Sequence, residues 1–185
     1  TMYSFVARQP ILDHHQSPVA YELLFREGLS NRLPNVSAEH ATTCLIAEQF
    51  LSQPIQQLVG EHACYINFPY SLILNGLADS LPVEQVVIEI LEDAEPDEQL
   101  LECVKRLKDR GYRLALDDFT LDPRWEAFLP FIDIIKFDFR LTAHADISRF
   151  INQHKGSHLI YLAEKVETQQ EFTAAKKMGF TLFQV

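Results

Sequence analysis

Short apolar runs of this chain end, one after another, in residues able to bind metal or do chemistry. Tyr65-Ile66 leads to Asn67, Val86-Val87-Ile88 to Glu89, and Leu114-Ala115-Leu116 to Asp117-Asp118. Ile134-Ile135 leads to Lys136, Tyr161-Leu162-Ala163 to Glu164, and Thr181-Leu182-Phe183 to Gln184. Each polar residue sits at the C-terminal end of a predicted strand. In an α/β barrel those ends all open on one face, where active sites lie. The pattern predicts one acidic, metal-binding pocket assembled from most of the strands.

The runs fit an alternating strand–helix order. Tyr3–Ile11 and Val19–Phe25 read as an antiparallel hairpin with a turn near residues 13–18. Ser37 is a candidate cap for a helix running to Gln53, and strand Ala63–Phe68 is stopped by Pro69. Strand Val86–Ile90 precedes a helix opened by Pro96, striped by Leu100, Leu101, Val104 and Leu107 and ended by Gly111. Strands follow at Arg113–Leu116, Ile132–Ile135 and His158–Ala163, with a short helix from Asp146 to His154. Thr168 and Glu171 form a capping box for a last helix buried through Phe172, Ala175 and Met178 and stopped by Gly179; strand Thr181–Val185 comes after it. This order implies a mostly parallel sheet with right-handed crossovers.

An open doubly wound sheet fits much of the same pattern. A receiver-like fold also carries an acidic pair, a phosphoacceptor aspartate and a lysine at strand ends. There the acidic pair follows the first strand, whereas Asp117-Asp118 follows three other polar strand ends, which favours a barrel. The 185 residues are fewer than the about 250 of a typical (β/α)8 barrel.

A formal net charge of −10 argues against a nucleic-acid polymer as partner, because no basic stripe exists to replace counterions. A small phosphorylated ligand remains compatible if divalent cations stand between it and the acidic pocket. No apolar run is long enough for a membrane span. Cys44, Cys64 and Cys103 are scattered among apolar residues, which reads as buried thiols in a reducing, cytoplasmic compartment. The seven histidines form no metal-ligand spacing and read as surface residues.

Taken singly, Glu22, Glu89, Asp117 and Glu164 each read as half of a structural ion pair, Glu22 with Arg26 for instance. Together with the Asn67 amide they converge on one barrel mouth. Unit charges about 4 Å apart repel by about 4 kcal/mol at an effective dielectric of 20. Several such pairs call for a counter-ion, and hard oxygen ligands suit Mg2+ or Mn2+. Asp118 is placed to hold a second ion or orient a water, and Lys136 supplies a positive point charge.

These residues occur in segments that resemble a known family. Gln9-Pro10-Ile11, Glu22-Leu23-Leu24-Phe25-Arg26, Asn67, Ile88-Glu89-Ile90-Leu91-Glu92, Leu116-Asp117-Asp118-Phe119, Ile135-Lys136-Phe137-Asp138, the stretch from Ala163 to Thr168 and Phe183-Gln184 follow the order found in EAL domains. The wording is closest to the EAL half of EAL–HDOD proteins. The resemblance implies an α/β modified TIM (β/α)8 barrel with an antiparallel first strand, spanning residues 2–185. It implies binding of cyclic di-GMP and its hydrolysis to linear pGpG with Mg2+ or Mn2+. Glu22, Asn67, Glu89, Asp117 and Glu164 would be metal ligands, and Asp118 would complete a two-metal site. Lys136 would position the attacking water, Gln184 would support the pocket, Arg26 would contact a phosphate, Gln9 would lie near a guanine, and Glu92 would brace the loop after Asp118.

The chain departs from the family pattern in four places. Leu23 replaces the alanine of the family's name-giving motif, and Leu91 replaces a threonine beside Glu92. The loop after Asp118 reads Phe119-Thr120-Leu121-Asp122-Pro123 where active members have a glycine-rich segment, so a different backbone path is expected. The family's closing C-terminal helix lies past Val185, which predicts a bare wall beside the last strand and a fragment of a longer protein that continues into an HDOD domain. The expectation is a cyclic di-GMP signalling module whose hydrolysis is weak; the alternative is an inactive barrel acting as nucleotide receptor or protein scaffold. A homodimer or a contact with the adjoining HDOD domain is the expected partner.

Overall fold

The computed structural model describes residues 5–26 and 60–185. Eight strands close into a barrel in chain order: β1 (Phe5–Leu12), β2 (Pro18–Arg26), β3 (Ala63–Phe68), β4 (Val86–Ile90), β5 (Arg113–Leu116), β6 (Ile134–Asp138), β7 (Ile160–Glu164) and β8 (Leu182–Phe183). Strand β1 runs antiparallel to both its neighbours, β2 and β8. Every other pairing is parallel. The fold is therefore the modified (β/α)8 barrel anticipated above. The hairpin that opens it turns on Asp13, whose carboxylate accepts from the amides of His15 and Ser17.

Side chains alternate across each strand, and the alternation sorts the core into two compartments. Outward-facing Cys64, Ile66, Ile88, Leu114, Ile135, Phe137 and Tyr161 pack with the helices. Inward-facing residues fill the barrel in layers drawn from alternate strands, as is usual for this architecture. Ala20, Val87, Ile134 and Leu182 come from the even strands, and Ile11, Tyr65, Ala115 and Leu162 from the odd ones. These two apolar layers form the floor beneath the polar mouth.

Four helices lie among the described residues: α1 (Tyr70–Leu74), α2 (Glu98–Asp109), α3 (His144–Gln153) and α4 (Gln169–Met178). Asp97, not Pro96, caps α2, accepting from the amide of Leu100 at 2.8 Å. Leu100, Cys103, Val104 and Leu107 form its buried face, and Leu101 is only half-buried. The capping box of α4 is formed as predicted, with Gly179 left-handed at φ +112° as its stop. Leaving that conformation to a residue with a Cβ would strain the backbone.

The boundaries shift elsewhere. Strand β6 begins two residues later than expected; just before it, the Asp133 carboxylate accepts from the Leu114 amide at 2.9 Å and from Lys108 Nζ at 2.5 Å. The last strand is only two residues long. Pro123–Phe131, unassigned from sequence, is a 3-10 segment capped by Asp122, with Pro130 inside it. Cys64 and Cys103 are buried free thiols, whereas Cys44 and the helix expected from Ser37 to Gln53 lie outside the described residues. Five of the histidines, His14, His15, His62, His144 and His158, are exposed and His154 is half-buried. Among the described residues no helix is long and apolar enough to cross a membrane.

Candidate metal centre

Two residues further along each strand, the barrel interior changes from apolar to charged. Glu22 from β2, Glu89 from β4, Lys136 from β6 and Gln184 just past β8 form the next even-strand layer. Above it come Gln9 from β1, Asn67 from β3, Asp117 just past β5 and Glu164 from β7. The sequence reading leaves Lys136 past the end of its strand; the structure puts it inside β6, as Glu22 lies inside β2 and Glu89 inside β4, and buries all three. Glu89 is 0% exposed and Lys136 1%.

Such burial holds only because the charges face one another. Lys136 Nζ lies 2.7 Å from Glu89 Oε2, 3.1 Å from Glu22 Oε2, 3.4 Å from Asp117 Oδ1 and 4.0 Å from Glu164 Oε1. Gln184 Nε2 donates to the other oxygen of Glu22 at 2.8 Å. The Asn67 amide fits best with its nitrogen donating to Glu89 Oε1 at 2.6 Å and to Glu22 Oε2 at 3.0 Å. Its carbonyl oxygen then faces Asp117 Oδ2 at 3.3 Å, where two oxygens side by side suit a shared cation.

A second group of oxygens lies beside the first. Asp117, Asp118 and Glu164 each offer a carboxylate oxygen within 4.8 Å of the others. Asp118 Oδ1 and Glu164 Oε1 are buried without any hydrogen-bond partner. Buried acceptors in native proteins are nearly always satisfied, so these two orphaned oxygens fit a cation that would complete them. Asp117 belongs to both groups.

The electrostatics follow from crowding. Burial pushes the Glu164 carboxyl up to about 9 against the pull of Lys136, with Asp117 and Asp118 adding to the rise. Burial also raises Glu89 well above the carboxylate range, with Glu22 and Asp117 adding to it. Asp117 is raised by burial and by the charges of Glu22 and Asp118. For Glu22 burial is outweighed by the hydrogen bond with Glu89 and the charge of Lys136, so it falls below its ordinary value. Lys136 is lifted far above the usual lysine range by Glu89, Glu22, Asp117 and Glu164, although burial opposes this. Without metal, Glu164 therefore holds its proton at neutral pH.

The loop after the acidic pair keeps left-handed geometry without glycine. Asp118 lies at φ +47° and Leu121 at φ +64°. Non-glycine residues pay roughly 1–2 kcal/mol for such angles. Hydrogen bonds tie the loop down: the Phe119 amide donates to the Lys136 carbonyl at 2.8 Å, and Arg124 bridges Asp122 and Glu95. Glu92 lines a small cavity with Asp117, Asp118 and Thr120. Gln9 Nε2 donates to the Val185 carbonyl at 2.6 Å, and the Arg26 side chain lies outside what the structure describes.

Sequence reasoning assigned no role to two residues of this region. Asp138 is 5% exposed; its Oδ1 accepts from the amides of Arg140 and Leu141, both at 2.9 Å, and its Oδ2 from Lys165 Nζ at 2.7 Å. Its spacing of two from Lys136 was the available signal, since i and i+2 share a face of a strand. Lys165 follows Glu164 directly and is itself left-handed, at φ +63°.

Residues 70–184 match the sequence model of the EAL domain. The chain belongs to the EAL domain family. Cyclic di-GMP phosphodiesterase CdgJ of Vibrio cholerae is 44% identical over 188 residues, an overlap covering 100% of this chain and 44% of CdgJ. This chain spans less than half the length of the curated relatives it matches. Among solved structures, an EAL domain protein from Listeria monocytogenes superposes with a TM-score of 0.77 at 22% identity, covering 97% of this chain and 85% of that one. Klebsiella pneumoniae BlrP1 in a manganese/cy-diGMP complex superposes with a TM-score of 0.73 at 23% identity, covering 97% and 53%. At those identities the two likenesses establish the EAL fold.

Proposed function

We propose that this EAL domain is a metal-dependent phosphodiesterase that binds cyclic di-GMP and adds water across one P–O bond to release linear pGpG. The observation that carries this reading is the pair of oxygen groups joined through Asp117, with Asp118 Oδ1 and Glu164 Oε1 buried and unpartnered. Glu22, Asn67, Glu89 and Asp117 would hold one Mg2+ or Mn2+, and Asp117, Asp118 and Glu164 the second. Bound ions would supply charge neutralisation and acidify water. The identity to CdgJ and the manganese complex of BlrP1 support both substrate class and metal class.

The chain's own groups act by positioning. Lys136 holds Glu22 and Glu89 in place and presents an ammonium to the attacking water; Gln184 fixes the far oxygen of Glu22. Arg26 would meet a phosphate, Gln9 a guanine, and Glu92 would steady the acidic loop. That loop carries left-handed strain at Leu121 where glycine would carry none, which supports slow turnover. We read the barrel as a cytoplasmic module working against a second copy or an adjoining HDOD domain, and the greater length of its relatives supports a larger assembly.

The test is chromatographic detection of pGpG from cyclic di-GMP with Mn2+, comparing the parent with Glu22→Ala. The expected result is turnover by the parent and a loss of roughly 100-fold or more in the variant. Tight nucleotide binding with no turnover by the parent would replace the enzyme with a receptor.

A further inference from the structure

We propose that Lys165 is a phosphate-contacting residue, an ammonium arm on the rim of the mouth that receives a phosphoryl oxygen of the bound dinucleotide and otherwise rests on Asp138. This rests on the cyclic di-GMP reading above and assigns that ligand a contact outside the metal ligands.

Three observations converge on it. First, Lys165 occupies a left-handed backbone position at φ +63°, where a side chain is strained and glycine is not. Strain held at a cleft points to a use for the side chain that causes it. Second, the ammonium is anchored and yet available. Its Nζ lies 2.7 Å from Asp138 Oδ2, while its side chain is 53% exposed and that of Asp138 only 7%. Third, it stands at the acidic centre. Lys165 follows Glu164, and Asp138 pairs across the sheet with Glu164.

The Asp138 contact is a resting place from which the arm can move. Asp138 keeps two backbone donors, the amides of Arg140 and Leu141, when the ammonium leaves. Both of those donors serve Oδ1, so departure of the ammonium frees Oδ2 of its Lys165 bond, a cost the phosphate contact has to exceed. A flexible four-carbon stem with a strongly hydrated point charge suits a phosphate met on a rim. Lys136 lies deeper, 1% exposed and engaged by Glu89 and Glu22, and is no arm on the rim.

The experiment measures cyclic di-GMP binding by calorimetry in Ca2+, with Lys165→Met, Lys165→Gly and Lys165→Arg beside the parent. The expected result is about tenfold weaker nucleotide Kd for both Met and Gly, the scale of one charge-assisted hydrogen bond. Arg is expected to stay within about threefold of the parent, since it keeps the charge. The Gly variant should melt a few degrees above the Met variant, because it relieves the left-handed strain. Equal nucleotide weakening in two variants of unequal stability separates a ligand contact from a structural lysine. Met or Gly binding as tightly as the parent overturns the proposal while leaving the phosphodiesterase reading intact. A parent that binds Ca2+ but no nucleotide overturns both.

Discussion

Removing the ammonium of Lys136 tests whether the buried charges hold one another in place. Lys136→Met keeps the length and most of the apolar stem of a side chain that is 1% exposed. It deletes contacts of 2.7, 3.1 and 3.4 Å to Glu89, Glu22 and Asp117. At an effective dielectric near 20 each such contact is worth roughly 5–6 kcal/mol before desolvation is subtracted. After desolvation, breaking a buried pair by removing one partner costs about 3–5 kcal/mol. A second route gives a similar figure. If the variant must hold one further carboxyl proton at pH 8, the cost is about 1.4 kcal/mol per pH unit above an unfolded pKa near 4.3, or about 5 kcal/mol.

For a chain of 185 residues that destabilisation lowers the melting temperature by roughly 6–20 °C. The assay is thermal unfolding in EDTA at pH 8 and pH 5, repeated in excess Mn2+. Lys136 has its pKa raised, so in the parent it stays charged across this range and its contribution is lost only above the ordinary lysine value. The gap between parent and variant should therefore be widest at pH 8 and shrink towards pH 5, where the carboxylates take protons in either chain. Manganese should narrow the gap, because a cation can take over neutralisation of the oxygens that lost the ammonium. A variant as stable as the parent at pH 8 in EDTA would refute the claim that Lys136 is the counter-charge of the centre.

Two further expectations follow from the same geometry. The parent without metal should lose stability as pH rises from about 4.5 to about 9, because folded Glu164, raised to about 9, keeps a proton that the unfolded chain has released; melting scans in Mn2+ should flatten that fall, and a stability that climbs with pH in EDTA would contradict the proton-holding centre. Thr168→Ala removes a capping box and should cost about 1 kcal/mol, or roughly 2–4 °C, with the Mn2+ affinity measured by calorimetry unchanged.

The sequence was most readable where one local rule acts alone. The capping box at Thr168 and Glu171, the antiparallel entry hairpin and most of the buried faces of α2 and α4, where Leu101 and Met178 are only half-buried, depend on residues close in the chain. Legibility fell where distant residues decide. Strand β6 starts at Ile134, after an Asp133 side chain taken by Lys108 and the Leu114 amide, and no pattern within residues 132–138 announces those contacts. The 3-10 segment from Pro123 to Phe131 has neither a helical nor a strand period to read, and Pro130 sits inside it.

The convergence of Glu22, Asn67, Glu89, Asp117, Lys136 and Glu164 was legible, and the depth of Lys136 was misread. Ending a strand at its first charged residue is sound for an isolated carboxylate, whose burial is costly. It fails for Lys136, because Glu22 and Glu89 supply what it lacks and the group can lie inside the barrel. The layer order explains why the barrel tolerates this. Moving two residues along a strand changes layer without changing face, so four even strands turn from Ala20, Val87, Ile134 and Leu182 to Glu22, Glu89, Lys136 and Gln184 in a single step. The apolar layers below need no hydrogen bonds and close the barrel; the polar layers above satisfy one another except at Asp118 and Glu164. The two orphaned oxygens thus fall in and beside the uppermost polar layer, where the fold bears the cost of leaving them unpaired and a cation would offset it.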